Sequence, residues 1–356
     1  MNVLPLLAAT APTWTLIAGG DLMLNGISPK ASPFDDQVAR VIRNADLAYA
    51  NLEIPLTDQR AATPFKSAAE VKARSQFILK ADPAHLKHLT AAGFDVFSLA
   101  NNHAMDYRAA GLTQMTTALT KAGLGYAGAG PDRAAARRAA IITLRNGIRV
   151  ALISYLAFVT DGAMAKCGPA GEKSAGIATL NLGGTVSKSA RQRLTNEVAA
   201  ARRAASVVLV ALHWGIERTP NPIPYQISLA KAWIDAGADV VLGAHPHVLQ
   251  GKQFYKEKPI LYSLGNLVSP LPARTALYEI RFEGSRVTQV TGMPCDIRGG
   301  KLTFVAGKTA KARAEELAAL DKLVGKPPIA PPKKKKPLKR AATVTAGPPK
   351  PATRPR

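Results

Sequence analysis

Short apolar runs, each closed by a small or polar corner, recur along most of the chain. Six of them predict core strands, at 14–18, 47–51, 94–100, 207–212, 240–244 and 260–264. Between the runs, apolar positions spaced three and four apart predict helices. These helices are expected at 36–44, 83–92, 188–204 and 225–236, with another that Asp106 caps and Gly123 ends. This alternation of strands and helices is typical of an α/β fold.

Hairpin signals interrupt the alternation. The runs Ile141–Leu144 and Arg149–Leu156 flank Asn146-Gly147, which predicts a hairpin with a type I′ turn. Two further antiparallel strands are expected at 276–282 and 287–293. Residues 57–76 are polar and irregular, and we expect them to form a loop over the functional site.

Side chains with metal-binding or catalytic chemistry follow five of the predicted strands. They are Asp21, Glu53, Asn102 with His103, His213, and His245 with His247. In open α/β sheets the carboxyl ends of the strands form the edge where ligands bind. Four of the six histidines occupy this edge, whereas His85 and His88 share a face of one predicted helix and are expected to be exposed. Oxygen and imidazole ligands favour Mn, Zn, Fe or Mg. We therefore predict a metal site at this edge.

The His245-Pro246-His247 segment is the strongest single motif. Pro246 disfavours helical geometry at His245, so extended backbone is predicted, in which both rings point to the same side. Both imidazoles could then bind one metal ion or a close pair of ions. Taken alone, the motif fits a pair of surface-loop histidines equally well.

Length and composition allow one large α/β domain or two smaller ones. The chain has 356 residues, of which 47% are apolar, and it contains no apolar run long enough to predict a transmembrane helix. The two cysteines, Cys167 and Cys295, lack the spacing of a zinc site. They could pair in an exported protein or remain buried thiols in a cytoplasmic one.

The net charge of +23 is unevenly distributed, and the folded part of the chain is itself basic. Residues 326–356 contribute +10, contain no Asp or Glu and hold nine of the 26 prolines. Such a segment is predicted to be disordered, and it could bind nucleic acid, anionic lipid or an acidic polymer. At the other end, residues 1–13 resemble the remnant of a signal peptide that ends in Ala9-Thr10-Ala11. The folded domain is therefore expected to span residues 14–325.

Six motifs in order along residues 14–295 resemble the poly-γ-glutamate capsule biosynthesis protein CapA family. They are Gly20-Asp21, Asn51-Leu52-Glu53, Ser98-Leu99-Ala100-Asn101-Asn102-His103, His213-Trp214-Gly215-Ile216-Glu217, Gly243-Ala244-His245-Pro246-His247 and Tyr262-Ser263-Leu264-Gly265-Asn266. That family belongs to the calcineurin-like metallophosphoesterases. The resemblance implies a four-layer α/β/β/α sandwich of two mixed sheets, with one or two divalent metal ions between the loops.

The resemblance also implies a role for each side chain at the edge. Asp21 and His247 would hold one metal ion, Asn102, His213 and His245 the other, and Glu53 would bridge them. His103 would be the general acid, and Glu217 and Asn266 would contact substrate. Two positions depart from the superfamily pattern. Met23 replaces the histidine of an Asp-x-His motif, and Glu53 replaces an aspartate, which puts the first metal in doubt.

Two function classes fit this sequence. One is a metal-dependent hydrolase or transferase that acts on an anionic polymer or a phosphoester in capsule or cell-envelope synthesis. The other is a degenerate scaffold that binds an anionic polymer or a polymer-synthase partner without turnover. Nucleic acid is a candidate partner of the basic tail only, and a solvated extension without a partner is the favoured alternative for that segment. The protein is expected to be exported or associated with the cell envelope, with a cytoplasmic location as the alternative.

The tail yields a first testable prediction. Removal of residues 326–356 should leave the melting temperature nearly unchanged and weaken binding to polyanions, because the segment has no apolar pattern to pack. Thermal unfolding and polyanion binding of the truncated protein check this. If truncation unfolds the protein, the segment is part of the domain.

Overall fold

A computed structural model describes residues 11–180 and 186–326 of the chain. The segment 1–10 and nearly all of the predicted tail lie outside the described residues. The strands are β1 (Thr13–Leu22), β2 (Leu47–Leu52), β3 (Val96–Ser98), β4 (Gly125–Ala127), β5 (Ala129–Gly130), β6 (Ala140–Thr143), β7 (Arg149–Leu156), β8 (Gly176–Ile177), β9 (Val207–His213), β10 (Val240–Ala244), β11 (Lys252–Tyr255), β12 (Lys258–Leu261), β13 (Asn266–Val268), β14 (Ala273–Glu283), β15 (Arg286–Arg298) and β16 (Lys301–Phe304).

The helices lie between these strands. They are α1 (Asp36–Arg43), α2 (Ala68–Lys72), α3 (Leu86–Ala92), α4 (Arg108–Lys121), α5 (Arg133–Ala136), α6 (Asp161–Ala165), α7 (Lys188–Arg202), α8 (Pro224–Asp235) and α9 (Gly307–Asp321). A short 3₁₀ helix, Pro83–His85, leads into α3. Within the described residues no helix is both long and apolar enough to span a membrane.

Two mixed sheets form the centre of the fold, as the sequence predicts. The first sheet has the order β16-β15-β14-β1-β2-β3-β4, and β13 pairs with the carboxyl end of β1. The second sheet has the order β11-β12-β10-β9-β7-β6. Strands β1, β2, β3 and β13 are parallel to one another, and so are β7, β9, β10 and β12. The carboxyl ends of the parallel strands therefore form one edge in each sheet.

Successive apolar side chains along a strand point to opposite faces of the sheet, so each central strand packs into two different layers. In β9, Val207 and Leu209 pack in the core between the two sheets, whereas Val208 and Val210 pack against the outer helices. The outer core of the second sheet includes Leu194 of α7 and other side chains of α7 and α8. The outer core of the first sheet includes side chains of α1, α3 and α4. Three apolar cores thus separate four layers, α/β/β/α, and the predicted fold class is confirmed.

Several local predictions need correction. The hairpin of β6 and β7 is present, but only Gly147 of its turn has a positive φ, so the turn is not of type I′. Leu144 accepts from the N–H of Gly147 and donates to Ile148, which leaves a three-residue loop at 145–147. The segment 57–76 is not wholly irregular, because α2 lies within it, with a capping box formed by Ser67 and Glu70.

His85 and His88 are not exposed, contrary to the sequence prediction. His85 is buried and its Nε2 donates to the carbonyl oxygen of Ile27 at 3.0 Å. His88 is half-buried and donates in the same way to Pro29 at 2.8 Å. The loop after β1 folds back over α3, and a helical pattern alone does not reveal such a loop. The two cysteines are free buried thiols, and burial raises the pKa of each to about 12.

Glycines bring the strand exits together. A Cβ added to Gly20 in β1 would lie 1.9 Å from the carbonyl oxygen of Gly265, which directly precedes β13. A Cβ at Gly243 in β10 would lie 2.0 Å from the carbonyl oxygen of Tyr262. Neither position tolerates a side chain, because backbone atoms cannot rotate away.

Replacement of Gly20 by alanine should lower the free energy of unfolding by about 1–3 kcal/mol through overpacking. Urea unfolding of the variant and its parent measures this. Gly162→Ala is the matched control, since an added Cβ there has no neighbour within 4 Å. An unchanged midpoint for Gly20→Ala would show that β1 and β13 can separate without loss of stability.

Candidate metal centre

Six predicted side chains converge between the carboxyl edges of the two sheets. The first sheet contributes Asp21 at the end of β1, Glu53 directly after β2 and Asn102 after β3, and the second contributes His213, His245 and His247. Atoms of Glu53, His245 and His247 lie within 4.8 Å of one another, a spacing that can hold a metal ion. The convergence follows from the topology, because the parallel strands of both sheets end on the same side.

The Glu53 carboxylate lies at the centre of the cluster. The residue is fully buried, and neither of its side-chain oxygens has a hydrogen-bond partner. Its Oε1 lies 3.5 Å from His247 Nε2 and 3.9 Å from His213 Nε2. Burial and the nearby Asp21 carboxylate hold the pKa of Glu53 well above its usual range. A buried carboxylate without donors is costly, and a bound cation would satisfy it.

His213 and His245 present their ring nitrogens to each other. His213 Nε2 lies 3.1 Å from His245 Nδ1 and 2.7 Å from the side-chain oxygen of Asn102. Burial and the neighbouring imidazoles hold the pKa of both rings well below the usual range. Both rings are therefore neutral at pH 7, which is the form that binds metal.

Asp21 and His247 form the other half of the cluster. Asp21 Oδ2 lies 3.1 Å from His247 Nδ1, and Asp21 Oδ1 accepts from the side-chain amide of Asn51 at 2.7 Å. Burial lowers the pKa of His247, but Glu53 and Asp21 outweigh this effect and raise it to about 10. A metal ion bound through His247 must therefore displace a proton.

The backbone at His245 and His247 differs from the extended conformation predicted for the motif. Both residues have a positive φ, of 95° and 57°. This region is unfavourable for residues other than glycine and costs on the order of 1–3 kcal/mol each. The His245 N–H donates to Asp21 Oδ2 at 3.2 Å, and the Pro246 carbonyl accepts from Arg218 at 2.7 Å. These bonds hold a tight loop that still directs both rings toward Glu53.

His103 lies beside the cluster and is held by a carboxylate of its own. Its Nδ1 is 2.7 Å from Asp106 Oδ2, and the residue is 5% exposed. Burial and Lys66 lower the pKa of His103, against the opposing effect of Asp106. Asp106 does not cap α4 as predicted, because that helix begins at Arg108 and its N-cap is Tyr107. The aspartate instead turns inward to the histidine.

Lys66 is a site residue that the sequence did not reveal. Its ammonium group is buried, pairs with Asp106, and donates to the carbonyl oxygens of Phe77 and Asn102 at 2.9 Å each. In the sequence it is one cation of a polar loop, and such cations are usually solvated. The prediction that this loop covers the site was the only signal that could have pointed to it.

Phe158 was also missed. Its ring centroid lies 4.7 Å from that of His245 and 6.2 Å from that of His213, so it covers one side of the imidazole pair. It lies just after β7, and no metal-binding residue follows that strand. In the sequence, an aromatic side chain at this position cannot be distinguished from an ordinary core residue. Its contact reduces the access of water to both rings.

The remaining predicted residues lie at the margin. Asn266 is nearly buried, and its Oδ1 is 2.9 Å from His247 Nδ1. Glu217 is exposed in the loop after β9, and its charge adds to the raised pKa of His247. Met23 is half-buried, and its N–H donates to the carbonyl oxygen of Val268 at 2.9 Å. The position of Met23 is therefore fixed by backbone pairing.

One protein family and several curated proteins are similar to this chain. Residues 15–271 match the family described as "Bacterial capsule synthesis protein PGA_cap". The chain is 33% identical over 287 residues to the capsule biosynthesis protein CapA of Bacillus anthracis, covering 78% of this chain and 64% of that protein. It is 29% identical over 255 residues to the PGA biosynthesis protein CapA of Bacillus subtilis (strain 168), covering 70% of this chain and 61% of that protein.

Two further comparisons define the reach of the similarity. A probable polyglutamine synthesis accessory protein of Mycobacterium tuberculosis is 30% identical over 223 residues, covering 63% of this chain and 55% of that protein. The chain thus spans 55–64% of the length of these curated relatives. A crystal structure of a hypothetical protein from Thermus thermophilus superposes with a TM-score of 0.50 at 17% identity, over 80% of this chain and 100% of that one. That likeness concerns the fold alone.

The cluster predicts metal binding that depends on its histidines. The double substitution His213→Ala/His245→Ala should strongly weaken the binding of Mn or Zn. Loss of a residue that only supports a metal ligand typically costs ~10–100-fold in metal affinity, and loss of two ligands should cost more. Isothermal titration calorimetry and metal analysis of the purified protein measure the loss. His88→Ala is the matched control, because His88 is half-buried and lies outside the cluster. Full retention of metal by the double variant, with the fold intact by circular dichroism, would refute the site.

Proposed function

The chain belongs to the family of bacterial capsule synthesis proteins described as PGA_cap, and on this premise we propose that it is a metal-dependent hydrolase or transferase. Its substrate is an anionic polymer or a phosphoester used in the synthesis of a poly-γ-glutamate capsule or another cell-envelope polymer. The observation that carries the proposal is the buried Glu53 carboxylate, which lacks a donor and lies among three imidazoles.

The donor set fits a divalent metal ion. Asp21 and His247 would hold one ion, Asn102, His213 and His245 a second, and Glu53 would contact both. Carboxylate, amide and imidazole ligands suit Mn, Zn, Fe or Mg, and none of the donors is a thiolate. When bound, the metal supplies Lewis-acid polarisation of a phosphoryl or carbonyl oxygen. The remaining chemistry falls to the side chains around it.

His103 supplies the proton in this proposal. Asp106 accepts the Nδ1–H of His103 and so fixes the orientation of the ring, which leaves Nε2 to donate to a leaving oxygen or nitrogen. The lowered pKa of His103 makes its imidazolium a stronger acid than an exposed one. Lys66 keeps Asp106 in place by pairing with the same carboxylate. Phe158 shields the ligand histidines from bulk water.

A cavity of about 930 Å³ is lined by none of the metal-centre residues, and in this proposal it would hold a more distant part of a large substrate. It opens between the loops that follow β1 and β2, the strands that carry Asp21 and Glu53. Arg60 and Lys80 line it, together with Asp58 and Asp82. The two cations are matched by the two aspartates, so the charge of this cavity does not by itself select an anionic substrate.

A second function is favoured by one residue. Met23 lies where many phosphoesterases carry a histidine ligand, and a thioether is a poor ligand for a hard metal ion. If the first metal is absent, the protein is a scaffold that binds an anionic polymer or a polymer-synthase partner without turnover. The relatives named for capsule or polyglutamine synthesis are compatible with either function.

Substitution of His103 separates the catalyst from the scaffold. His103→Gln should bind metal as the parent does and lose turnover by about 10²–10⁴-fold, because glutamine cannot transfer a proton at neutral pH. The loss should be smallest for substrates with a good leaving group. Steady-state rates on a panel of phosphoesters and poly-γ-glutamate peptides measure it, alongside metal content.

The control for this experiment is His88→Gln, which changes a histidine outside the site and should retain the parental rate. A parent protein that binds metal and polymer yet turns over none of the substrates would support the scaffold. Loss of metal in His103→Gln would instead make His103 a ligand and overturn the proposed division of roles.

A further inference from the structure

Most of the exposed large apolar side chains lie on one side of the molecule. Seven such side chains are found in the described ranges 11–180 and 186–326, with exposed fractions of 42% to 66%. Five of them, here called the apolar rim, lie in loops at the edge that carries the candidate metal centre: Phe65, Phe77, Val159, Ile216 and Leu271. The other two, Ile141 and Phe254, lie on the edge strands β6 and β11.

The topology explains why the rim residues share a side. Val159, Ile216 and Leu271 each lie three residues beyond the carboxyl end of a strand, β7, β9 and β13 respectively. Phe65 and Phe77 lie in the long connection that follows β2. These strands end at the edges whose side chains meet at Glu53, so the rim residues lie in the connections at the edge that carries the centre.

The two phenylalanines are held outward by a buried anchor. Lys66 directly follows Phe65, and its ammonium group bonds Asp106 and the carbonyl oxygen of Phe77. Both aromatic side chains thus project from backbone that is tied to the site. Exposure of aromatic surface costs free energy, and a fixed exposed ring is typical of a contact surface.

Exposed cations lie among the rim residues. The segment 57–80 contains five Lys and Arg residues against two acids, and Arg60, Lys72 and Arg74 are exposed in it. Arg218, two residues beyond Ile216, is exposed as well. Aromatic and aliphatic side chains beside Lys and Arg are characteristic of protein surfaces that contact anionic bilayers.

We propose that the apolar rim docks the edge of the sheets that carries the candidate metal centre onto an anionic lipid bilayer. The rim side chains come from four separate connections, and two of these connections, after β2 and after β9, also carry the exposed cations named above. A bilayer accepts such separated side chains individually, whereas a folded partner needs one continuous complementary face. The docking does not depend on the proposed activity, and it places the centre at the membrane surface.

Vesicle binding tests the docking. The full chain should co-sediment with vesicles of equal parts phosphatidylglycerol and phosphatidylcholine, and Phe65→Ser/Phe77→Ser should weaken this binding about tenfold or more. Ile141→Ser/Phe254→Ser is the matched control, with equal exposure away from the rim, and should bind as the parent does. Every variant retains the basic tail, so its contribution cancels. Equal binding by the parent and the double-serine rim variant would overturn the proposal.

A fluorescence measurement reports insertion independently. The native tryptophans Trp14, Trp214 and Trp233 are all buried, so a tryptophan placed at Phe65 supplies the exposed signal. On vesicles that contain brominated lipid, Phe65→Trp should be quenched and blue-shifted, and Phe254→Trp should not. Absence of quenching at Phe65 would overturn the proposal, because binding would then come from the tail.

Self-association of the protein is the other outcome that would overturn the proposal. If the parent self-associates but does not bind vesicles, and Phe65→Ser/Phe77→Ser abolishes the self-association, then the rim is an interface between copies of this chain.

Discussion

The Glu53 carboxyl group is buried without a hydrogen-bond donor, and the side chains of the candidate centre are arranged around this unsatisfied group. A lone buried carboxylate is strongly disfavoured, and Asp21 brings a second one close to it. The protonated ring of His247 compensates part of this charge, as its raised pKa records. A divalent cation would balance the negative charge that His247 leaves uncompensated. The convergence of two sheets on one point, the glycine corners and the strained His245 loop all serve to bring neutral imidazoles to that charge.

The sequence predicts the frame of this arrangement well, for physical reasons that particular residues illustrate. The uninterrupted apolar run Val207–Leu212 specifies a strand with apolar neighbours on both faces. The carboxyl end of such a strand then specifies which edge of the sheet the next polar residue occupies. Contacts between residues that are distant in the sequence cannot be predicted from these rules. Asp106 looks like a helix cap, and only the folded chain shows that it bonds His103 and Lys66. The extended backbone expected before Pro246 yields to a positive φ, because bonds from Asp21 and Arg218 hold the loop.

Lys66 joins three features that are separate in the sequence. One ammonium group contacts the carboxylate that orients His103, the backbone carbonyl of Asn102 and the backbone carbonyl of Phe77. The connection after β2 is therefore bonded to the site through Lys66. Removal of this cation would leave Asp106 buried beside His103 without its partner, which is costly. The proposed proton donor, the proposed ligand Asn102 and the backbone that carries Phe65 and Phe77 thus share one buried contact.

The long sequence separation within the centre has a consequence for how the protein is made. Asp21 accepts from the backbone of His245, 224 positions later, and β13 pairs with the end of β1. On the ribosome, both carboxylates of the first sheet emerge long before any histidine of the second sheet. Loops this long close slowly, and the nascent chain must keep its apolar strands from aggregating meanwhile. The proposed metal ligands are therefore complete only after His247 has been translated, and the pairing of β13 with β1 comes later still, so metal loading would be a late event that reports a correctly folded chain.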